Sequence, residues 1–233
     1  MGKLLLSVAA LALVLTACDD GKIYDEVSVD DNSRGRSVVM NATISGCSDY
    51  AGDSRYSVAL AAFRKGDGYA VVSKPLSDGT ESVVLSNVPS DATSVEVCLI
   101  NRLRERIFTY SSIALDEAGS TEVEFNAGEV DASRFASISD KIFSESCIQC
   151  HGATGHAAAG LDLMPARAYG MLVDVPSTVI DGADRVIPDD ASASTLWQAV
   201  ATGISSGWSF NHSELLKSNE IDFIENWINS GAK

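Results

Sequence analysis

The stretch Cys147-Ile148-Gln149-Cys150-His151 decides how the rest of this 233-residue chain is interpreted. Its two thiols are three residues apart, and an imidazole directly follows the second. This spacing is that of a c-type haem attachment site, in which the thiols bind the porphyrin vinyl groups and the His ligates the iron. We therefore predict one covalent haem, with Cys147 and Cys150 as thioether residues and His151 as the proximal iron ligand.

Three other kinds of site use two closely spaced thiols. A thioredoxin-like redox pair belongs to a strand–helix–strand context, which the sequence does not predict here. A zinc site needs four ligands, and beyond Cys147, Cys150 and His151 the chain has only two further His residues and no second paired element. A structural disulfide would be strained at this spacing. Haem is therefore the favoured interpretation.

The N-terminal residues predict export and a lipid anchor. Lys3 and an apolar run over residues 4–15, too short to span a bilayer, give residues 1–17 the pattern of a secretory signal. Leu15-Thr16-Ala17-Cys18 resembles the lipobox of bacterial lipoproteins, which implies lipid modification of Cys18. An ordinary signal peptide with a coincidental Cys is the alternative. We expect a cell-envelope protein, lipid-anchored to a membrane and facing the periplasm or the exterior.

The segment that follows is acidic. Residues 18–36 carry six acidic side chains and few apolar ones, so they cannot bury enough surface to fold and are predicted to form a tether between the membrane and the folded body. The whole chain has a formal net charge of −15. This charge argues against binding to nucleic acid or to an anionic lipid face, because both require clustered Lys and Arg.

Residues 37–127 consist of short β-prone runs separated by turn residues. In the first run, Val38, Met40 and Ile44 alternate with polar residues, the period of a half-buried strand. Seven short strands without a convincing helix predict an antiparallel β-sandwich of immunoglobulin- or fibronectin-like kind. The region has no His and its carboxylates are scattered, so we expect a spacer or partner-docking module. The runs lie at residues 38–44, 56–63, 69–73, 82–85, 94–100, 106–113 and 121–125.

The five Cys residues can all be assigned in an oxidising compartment. Cys18 is the predicted lipidation site and two others belong to the haem motif, which leaves Cys47 and Cys98. The strand alternation places both on polar faces or at strand ends. A disulfide between them is predicted, and two unpaired thiols are the alternative.

Beyond a linker at residues 126–133 the pattern becomes helical. Apolar residues recur every three or four positions from Phe135 to Phe143, which predicts an amphipathic helix leading into the haem motif. A loop rich in Gly and Pro follows. Further helices are predicted at residues 162–172, 194–200 and 219–229.

Six short segments in this part of the chain occur in an order that is typical of one protein family. They are Cys147-Ile148-Gln149-Cys150-His151-Gly152, Gly160-Leu161-Asp162-Leu163, Val186-Ile187-Pro188, Ser194-Thr195-Leu196, Glu220-Ile221-Asp222-Phe223-Ile224 and Trp227-Ile228-Asn229-Ser230-Gly231-Ala232. With them, residues 138–233 resemble the small single-haem, class I-like c-type cytochrome domains of bacterial envelope proteins. The resemblance implies an all-α cytochrome c domain, expected here over residues 133–233, and a two-domain chain.

The distal iron ligand departs from the pattern of that family. The family usually offers a Met in a Met-Pro pair shortly before the last helix, whereas this chain reads Gly207-Trp208-Ser209-Phe210-Asn211-His212 and has no Met after Met171. We therefore predict His212 as the distal ligand, since imidazole is a common haem ligand. The alternatives are a surface-loop role for His212 and ligation by Met171, while His156 lies too near the motif to reach around the haem.

The predicted function is one-electron transfer between envelope redox partner proteins by a membrane-tethered cytochrome lipoprotein. No enzymatic activity is expected, because one haem without clustered acid–base residues offers little to a chemical transformation. The alternative is a β-sandwich binding lipoprotein whose haem senses redox state or a gas. A five-coordinate haem would favour sensing, and a six-coordinate haem would favour electron transfer.

Overall fold

A computed structural model describes residues 35–116, 121–152 and 155–233 of the chain. The predicted signal peptide, the lipidation site Cys18 and nearly all of the predicted tether lie outside the described residues. Gly35–Lys233 form one compact unit. Among the described residues, no helix is long and apolar enough to cross a membrane.

Seven strands build two sheets. The three-stranded sheet has the order β4-β1-β7, and the four-stranded sheet has the order β3-β2-β5-β6. Each run that the sequence predicts as a strand overlaps one of them. The strands are β1 (Arg36–Ser45), β2 (Tyr56–Arg64), β3 (Val72–Pro75), β4 (Ser82–Val88), β5 (Ala92–Asn101), β6 (Arg106–Ala114) and β7 (Glu122–Asp131).

The pairing within the sheets is mixed. All neighbouring strands are antiparallel except β1 and β7, which run parallel and shift register between Asn41 and Ala42. A purely antiparallel sandwich is therefore wrong. The predicted alternation along β1 is confirmed. Val38, Met40 and Ile44 are at most 1% exposed and lie in the main hydrophobic core.

Short helices follow the last strand. They are α1 (Arg134–Ile138), α2 (Pro165–Leu172), α3 (Thr195–Ala201) and α4 (Ser218–Ile228), and a π-helix at Ser139–Cys147 continues α1 into the Cys-x-x-Cys-His motif. A π-helix of this length is unusual, and π-helical turns are frequent at functional sites. It places the first thiol at the end of a regular element.

The predicted fold class, a β-sandwich followed by an all-α cytochrome c domain, is wrong. The described chain is mainly β, and after Asp131 it has only four α-helices of five to eleven residues joined by long loops. Helices of this length owe most of their stability to the tertiary packing of an apolar face. They bury their apolar stripes partly against the sheets.

The last helix shows how the sheets and helices share one core. Phe223 of α4 is fully buried, with its ring centroid 5.1 Å from that of Phe108 on β6 and 5.3 Å from that of Tyr56 on β2. Both pairs are edge-to-face, a favourable arrangement for aromatic rings. The final helix is therefore anchored in the four-stranded sheet.

A buried ion pair joins the start of α1 to the loop before β2. Arg134 Nη2 lies 2.6 Å from Asp53 Oδ2, and the two side chains are 5% and 10% exposed. The same carboxylate accepts from Arg55 at 2.9 Å. Burial raises the pKa of Asp53, but the hydrogen bonds from Arg55 and Arg134 outweigh it and hold that pKa well below its usual range.

Candidate functional site

A cavity of about 570 Å³ lies beside the Cys-x-x-Cys-His motif. This volume is in the range of small-molecule and cofactor sites, which span about 300 to 1,000 Å³. Cys147, Cys150, His151 and His212 all line the cavity. The other lining side chains are mostly apolar and include Leu161, Leu163, Leu172, Leu196 and Val200. The structure thus brings the four predicted haem residues together on one apolar cavity.

The backbone after the π-helix turns tightly at the motif. The amides of Cys150 and His151 both donate to the carbonyl of Cys147, at 3.2 and 3.0 Å. This turn brings both thiols and the imidazole to one side of the chain. The arrangement suits a planar group that must contact two thiols at its edge and an imidazole at its face.

The Cys147 thiol stays protonated at neutral pH. Burial and the charge of Glu220 raise its pKa to about 12. Thioredoxin-like exchange needs a thiolate, and reactive cysteines have a lowered pKa. The raised pKa of Cys147 therefore argues against that alternative.

The hydrogen bonds of His151 orient its ring for metal binding. Its Nδ1 lies 3.1 Å from the carbonyl oxygen of Ala158 and 3.2 Å from that of Leu161. A carbonyl oxygen only accepts, so Nδ1 carries the proton and donates. Nε2 is then left with its lone pair, which is the arrangement found in metal-binding histidines.

A network of hydrogen bonds around the buried Ser205 holds the backbone of His212. Its amide donates to Ser205 Oγ at 2.8 Å, and Ser205, which is fully buried, donates to the Ala199 carbonyl of α3 at 3.1 Å. Asn211 Oδ1 accepts from the amide and hydroxyl of Ser213 at 3.2 and 2.9 Å. These bonds fasten the turn that carries His212 to α3.

The side chain of His212 lies among aromatic rings. The centroids of Phe210 and Trp208 are 5.2 and 5.7 Å from that of the imidazole. Its Nδ1 is buried without a hydrogen-bond partner among the described residues. Burial and the neighbouring His151 lower the pKa of His212 below its ordinary value. The ring is therefore neutral at pH 7, the state in which imidazole binds a metal.

The separation of the two imidazoles is the most informative distance in the site. The ring centroids of His151 and His212 are 6.2 Å apart. With a ring radius of about 1.1 Å and an imidazole–metal distance of about 2.0 to 2.1 Å, two imidazoles on opposite sides of one ion have centroids about 6.2 to 6.4 Å apart. The observed centroid separation equals the value expected for two imidazoles that share one metal ion.

The other sequence candidates do not meet this geometry. Met171 is not among the residues that line the cavity, and His156 lines it with an exposed side chain. No group of three or more His, Cys, Asp or Glu side chains in the described part of the chain is arranged to hold a metal ion. The two imidazoles are fewer than such a group, and the predicted haem would supply the remaining iron ligands itself.

The predicted disulfide is absent, since Cys47 and Cys98 are both free thiols. Cys47 begins a 3₁₀ turn after β1, whereas Cys98 lies within β5, fully buried in a second apolar cluster with Ala59 and Phe63. The expectation of a polar face at Cys98 is wrong because β5 is an interior strand whose two faces are both covered.

Gly152 directly follows the motif and lies where this segment and residues 162–164 approach each other very closely. Its φ is 140°, and a Cβ added there would lie 2.7 Å from Asp162 Oδ1 and 2.8 Å from Met164 Cγ. The amide of Leu163 donates to the carbonyl of His151 at 2.7 Å. A glycine at this position lets the segment after the cavity pack directly on the motif.

Sequence reasoning missed several polar residues of the site. Ser205 and Asn211 fix the position of His212, and Arg185 and Thr195 line the cavity. Thr195 and Asn211 lie in segments that the sequence analysis quotes, but neither they nor Ser205 and Arg185 received a role there, because that role depends on hydrogen bonds and on the cavity. The Gly203 and Gly207 turn residues around Ser205 were the sole local signal of an ordered loop.

No known protein family, curated protein or solved structure matches this chain.

Proposed function

We propose that the protein binds one haem covalently through Cys147 and Cys150, with His151 and His212 as axial iron ligands, and transfers single electrons between partner proteins of the cell envelope. The lipid anchor at Cys18 and the acidic tether are part of this proposal and hold the protein at a membrane. The observation that carries it is the 6.2 Å separation of the two imidazoles beside the two thiols.

Each residue of the site has a role that follows from its surroundings. The π-helix and the turn after it present the two thiols, and the protonated Nδ1 of His151 leaves Nε2 to bind the iron. His212 presents a second neutral imidazole, supported by Ser205. A bound haem iron would supply a one-electron couple between the ferrous and ferric states. The mostly apolar lining gives a bound haem a hydrophobic surround, one of the features that set its reduction potential.

The presence of His212 favours electron transfer over gas sensing. A sensor haem needs an open iron position for its ligand, whereas His212, with its ring centroid 6.2 Å from that of His151, would occupy that position. If both imidazoles held the iron, no group would have to enter or leave during oxidation and reduction. Two imidazoles in place of imidazole and thioether also lower the reduction potential, because Met/His ligation raises it.

The test is expression of the chain with and without the maturation proteins for c-type haem. We expect one haem per chain that survives denaturation and gives a pyridine haemochrome spectrum. Cys147→Ser and Cys150→Ser should each lower the covalent yield or alter the thioether spectrum, and Cys47→Ser is the matched control that keeps both. Absence of covalent haem in the unmodified chain would overturn the proposal.

Coordination is tested on the same material. Near-infrared magnetic circular dichroism of the ferric protein should give a bis-imidazole signature, and dithionite reduction followed by ferricyanide oxidation should be fully reversible. Stoichiometric carbon monoxide binding by the ferrous protein would show an open iron position and support the sensor alternative instead.

A further inference from the structure

Two buried polar side chains in the cavity wall have no role in haem attachment or iron ligation. Arg185 and Thr195 both line the cavity and are 7% and 6% exposed. The backbone brings them together, because the amide of Thr195 donates to the carbonyl of Asp184 at 3.0 Å and that of Leu196 donates to the carbonyl of Arg185 at 2.9 Å. The two residues are therefore neighbours along a cavity wall whose other side chains are mostly apolar.

Arg185 is a buried cation whose protein partners are neutral. Its Nη1 donates to the carbonyl of Met171 at 2.8 Å, and its Nη2 donates to the carbonyls of Ala159 and Gly160 at 3.3 Å each. No carboxylate among the described residues forms an ion pair with it. Burial without a counter-charge lowers the pKa of Arg185. A buried charge of this kind is costly unless an anion accompanies it.

Arg185 also keeps donors to spare. A guanidinium has five N–H groups in a fixed fork, and it pairs well with a carboxylate. The three carbonyl contacts engage three of those groups at most. The carbonyls hold the guanidinium in the cavity wall and leave it able to donate to a further acceptor.

Thr195 provides a second, independent indication of a ligand. Its Oγ1 is buried and has no hydrogen-bond partner among the described residues. Buried hydroxyls in native proteins are nearly always hydrogen-bonded, so an orphan on a cavity wall points to a partner inside the cavity. Thr195 Oγ1 and the Arg185 guanidinium therefore each have the capacity to donate to an acceptor inside the cavity that both residues line.

We infer that Arg185 and Thr195 form a carboxylate-binding subsite in the cavity wall, and that its occupant is a propionate carboxylate of the haem. This inference rests on the proposed function, because it assumes a haem in the cavity. The subsite fixes the haem by its polar edge, while the two thiols fix it at the vinyl edge. It also neutralises the buried guanidinium, and charge-assisted hydrogen bonds of this type are among the stronger ones in proteins.

The experiment compares haem with its dimethyl ester, which has the same ring and iron but no carboxylates. The full chain carrying Cys147→Ala and Cys150→Ala is titrated with each compound, so that binding is reversible and measurable by the Soret band. We expect haem to bind about tenfold tighter or more, the ratio given by one hydrogen-bonded charge contact. Thr195→Val and Arg185→Leu should each reduce the ratio, and Thr195→Ser should keep it.

Circular dichroism and thermal melting of every variant separate a lost subsite from a lost fold. Thr195→Val preserves side-chain shape and carries the test if Arg185→Leu does not fold. Equal affinity of the unsubstituted background for haem and ester would overturn the subsite and leave the haem site standing. A preference that survives in Thr195→Val and in folded Arg185→Leu would also overturn it. Failure of both compounds to bind, together with no covalent haem in the unmodified chain, would overturn the proposed function and the subsite with it.

Discussion

The imidazole rings of His151 and His212, 61 positions apart in the chain, lie with their centroids 6.2 Å apart on one cavity. Their planes are inclined by 37°. The first ring is oriented by two backbone carbonyls and the second by the turn that Ser205 fastens to α3. The pair therefore has a defined separation before any cofactor binds, which lowers the ordering cost of binding.

Replacing His212 should change the iron coordination and not the attachment. We expect His212→Ala to keep one covalent haem per chain but to become high-spin and to bind carbon monoxide, because one axial imidazole is lost. His212→Met should remain six-coordinate if the thioether reaches the iron, with a higher reduction potential. Optical spectra and potentiometry measure both effects. An unchanged low-spin spectrum in His212→Ala would exclude His212 as a ligand, and His156→Ala is the matched control.

Ser205 should act as a positioning residue for His212. Ser205→Ala removes the acceptor of the His212 amide and the donor to Ala199, and it leaves a buried amide unpaired. We expect a loss of about 1 to 3 kcal/mol in the free energy of unfolding and a partly high-spin haem. Urea unfolding and the spin-state spectrum measure the two effects. The exposed neighbour Ser206 offers the control Ser206→Ala, and equal behaviour of the two variants would contradict the role.

Gly152 should tolerate no side chain. A Cβ at this position would lie 2.7 Å from Asp162 Oδ1 and 2.8 Å from Met164 Cγ, and φ is 140°. We expect Gly152→Ala to separate the two segments and to cost at least about 1 to 3 kcal/mol, the range for overpacking a filled site. Gly155 also has a positive φ, 71°, but no atom lies within 4 Å of a Cβ added there, so Gly155→Ala is the control for a side chain in open space. Thermal melting should show the larger loss for Gly152→Ala, and equal losses would contradict the effect of the close approach.

The Asp53 ion pair should make stability depend on acid pH. The folded-state pKa of Asp53 is held below the unfolded value of about 3.9, so its contribution is fully present above about pH 4 and is lost as pH falls through the folded pKa. Asp53→Asn should cost about 3 kcal/mol at pH 7, because it leaves the buried Arg134 without its partner. The difference from the unmodified chain should shrink progressively below pH 4.

Urea unfolding of both proteins between pH 7 and pH 2 measures this dependence. Asp91→Asn is the control, since Asp91 pairs with Arg64 at a site where the two side chains are 60% and 46% exposed. Exposed pairs contribute about 1 kcal/mol or less. A difference between Asp53→Asn and the unmodified chain that stays constant down to pH 2 would contradict the assignment.

Phe223 should couple the unfolding of the sheets to that of the region around the cavity. It is fully buried against Phe108 and Tyr56, so Phe223→Ala should cost about 3 to 5 kcal/mol. Because α4 packs in the core shared by sheets and helices, far-UV circular dichroism and haem absorbance should report one common unfolding transition. Two separate transitions in the unmodified protein would show that the regions fold independently. The exposed residue Ile204 offers a control in Ile204→Ala.

The strand and helix segments follow from local patterns. The alternation at Val38, Met40 and Ile44 and the three-to-four spacing from Phe135 to Phe143 both correspond to regular elements in the structure. Hydrophobic periodicity indicates which face of a helix or strand is apolar, but it does not indicate which other element packs against that face. For that reason the fold class was wrong: the last helix was predicted as part of an all-α domain, whereas its Phe223 packs against Phe108 on β6.

Because local patterns do not show which elements meet, the predictions for Cys47 and Cys98 were also wrong. Alternation placed Cys98 on a polar face, but a strand with neighbours on both sides can be covered on both faces, and that depends on the order β3-β2-β5-β6. A count of thiols suggested the pair Cys47 and Cys98. Pairing requires proximity, which a count does not contain.

The sequence by itself determined the chemistry available at the motif, because two thiols and an imidazole within five residues meet in any fold that turns once there. The sequence also has no Met after Met171, which leaves His212 as the predicted distal ligand. Only the tertiary structure decided that His212 lies 6.2 Å from His151 and that Arg185 and Thr195 share the cavity wall. These relationships join residues that are far apart in the chain, and long-range packing and hydrogen bonding fix such distances.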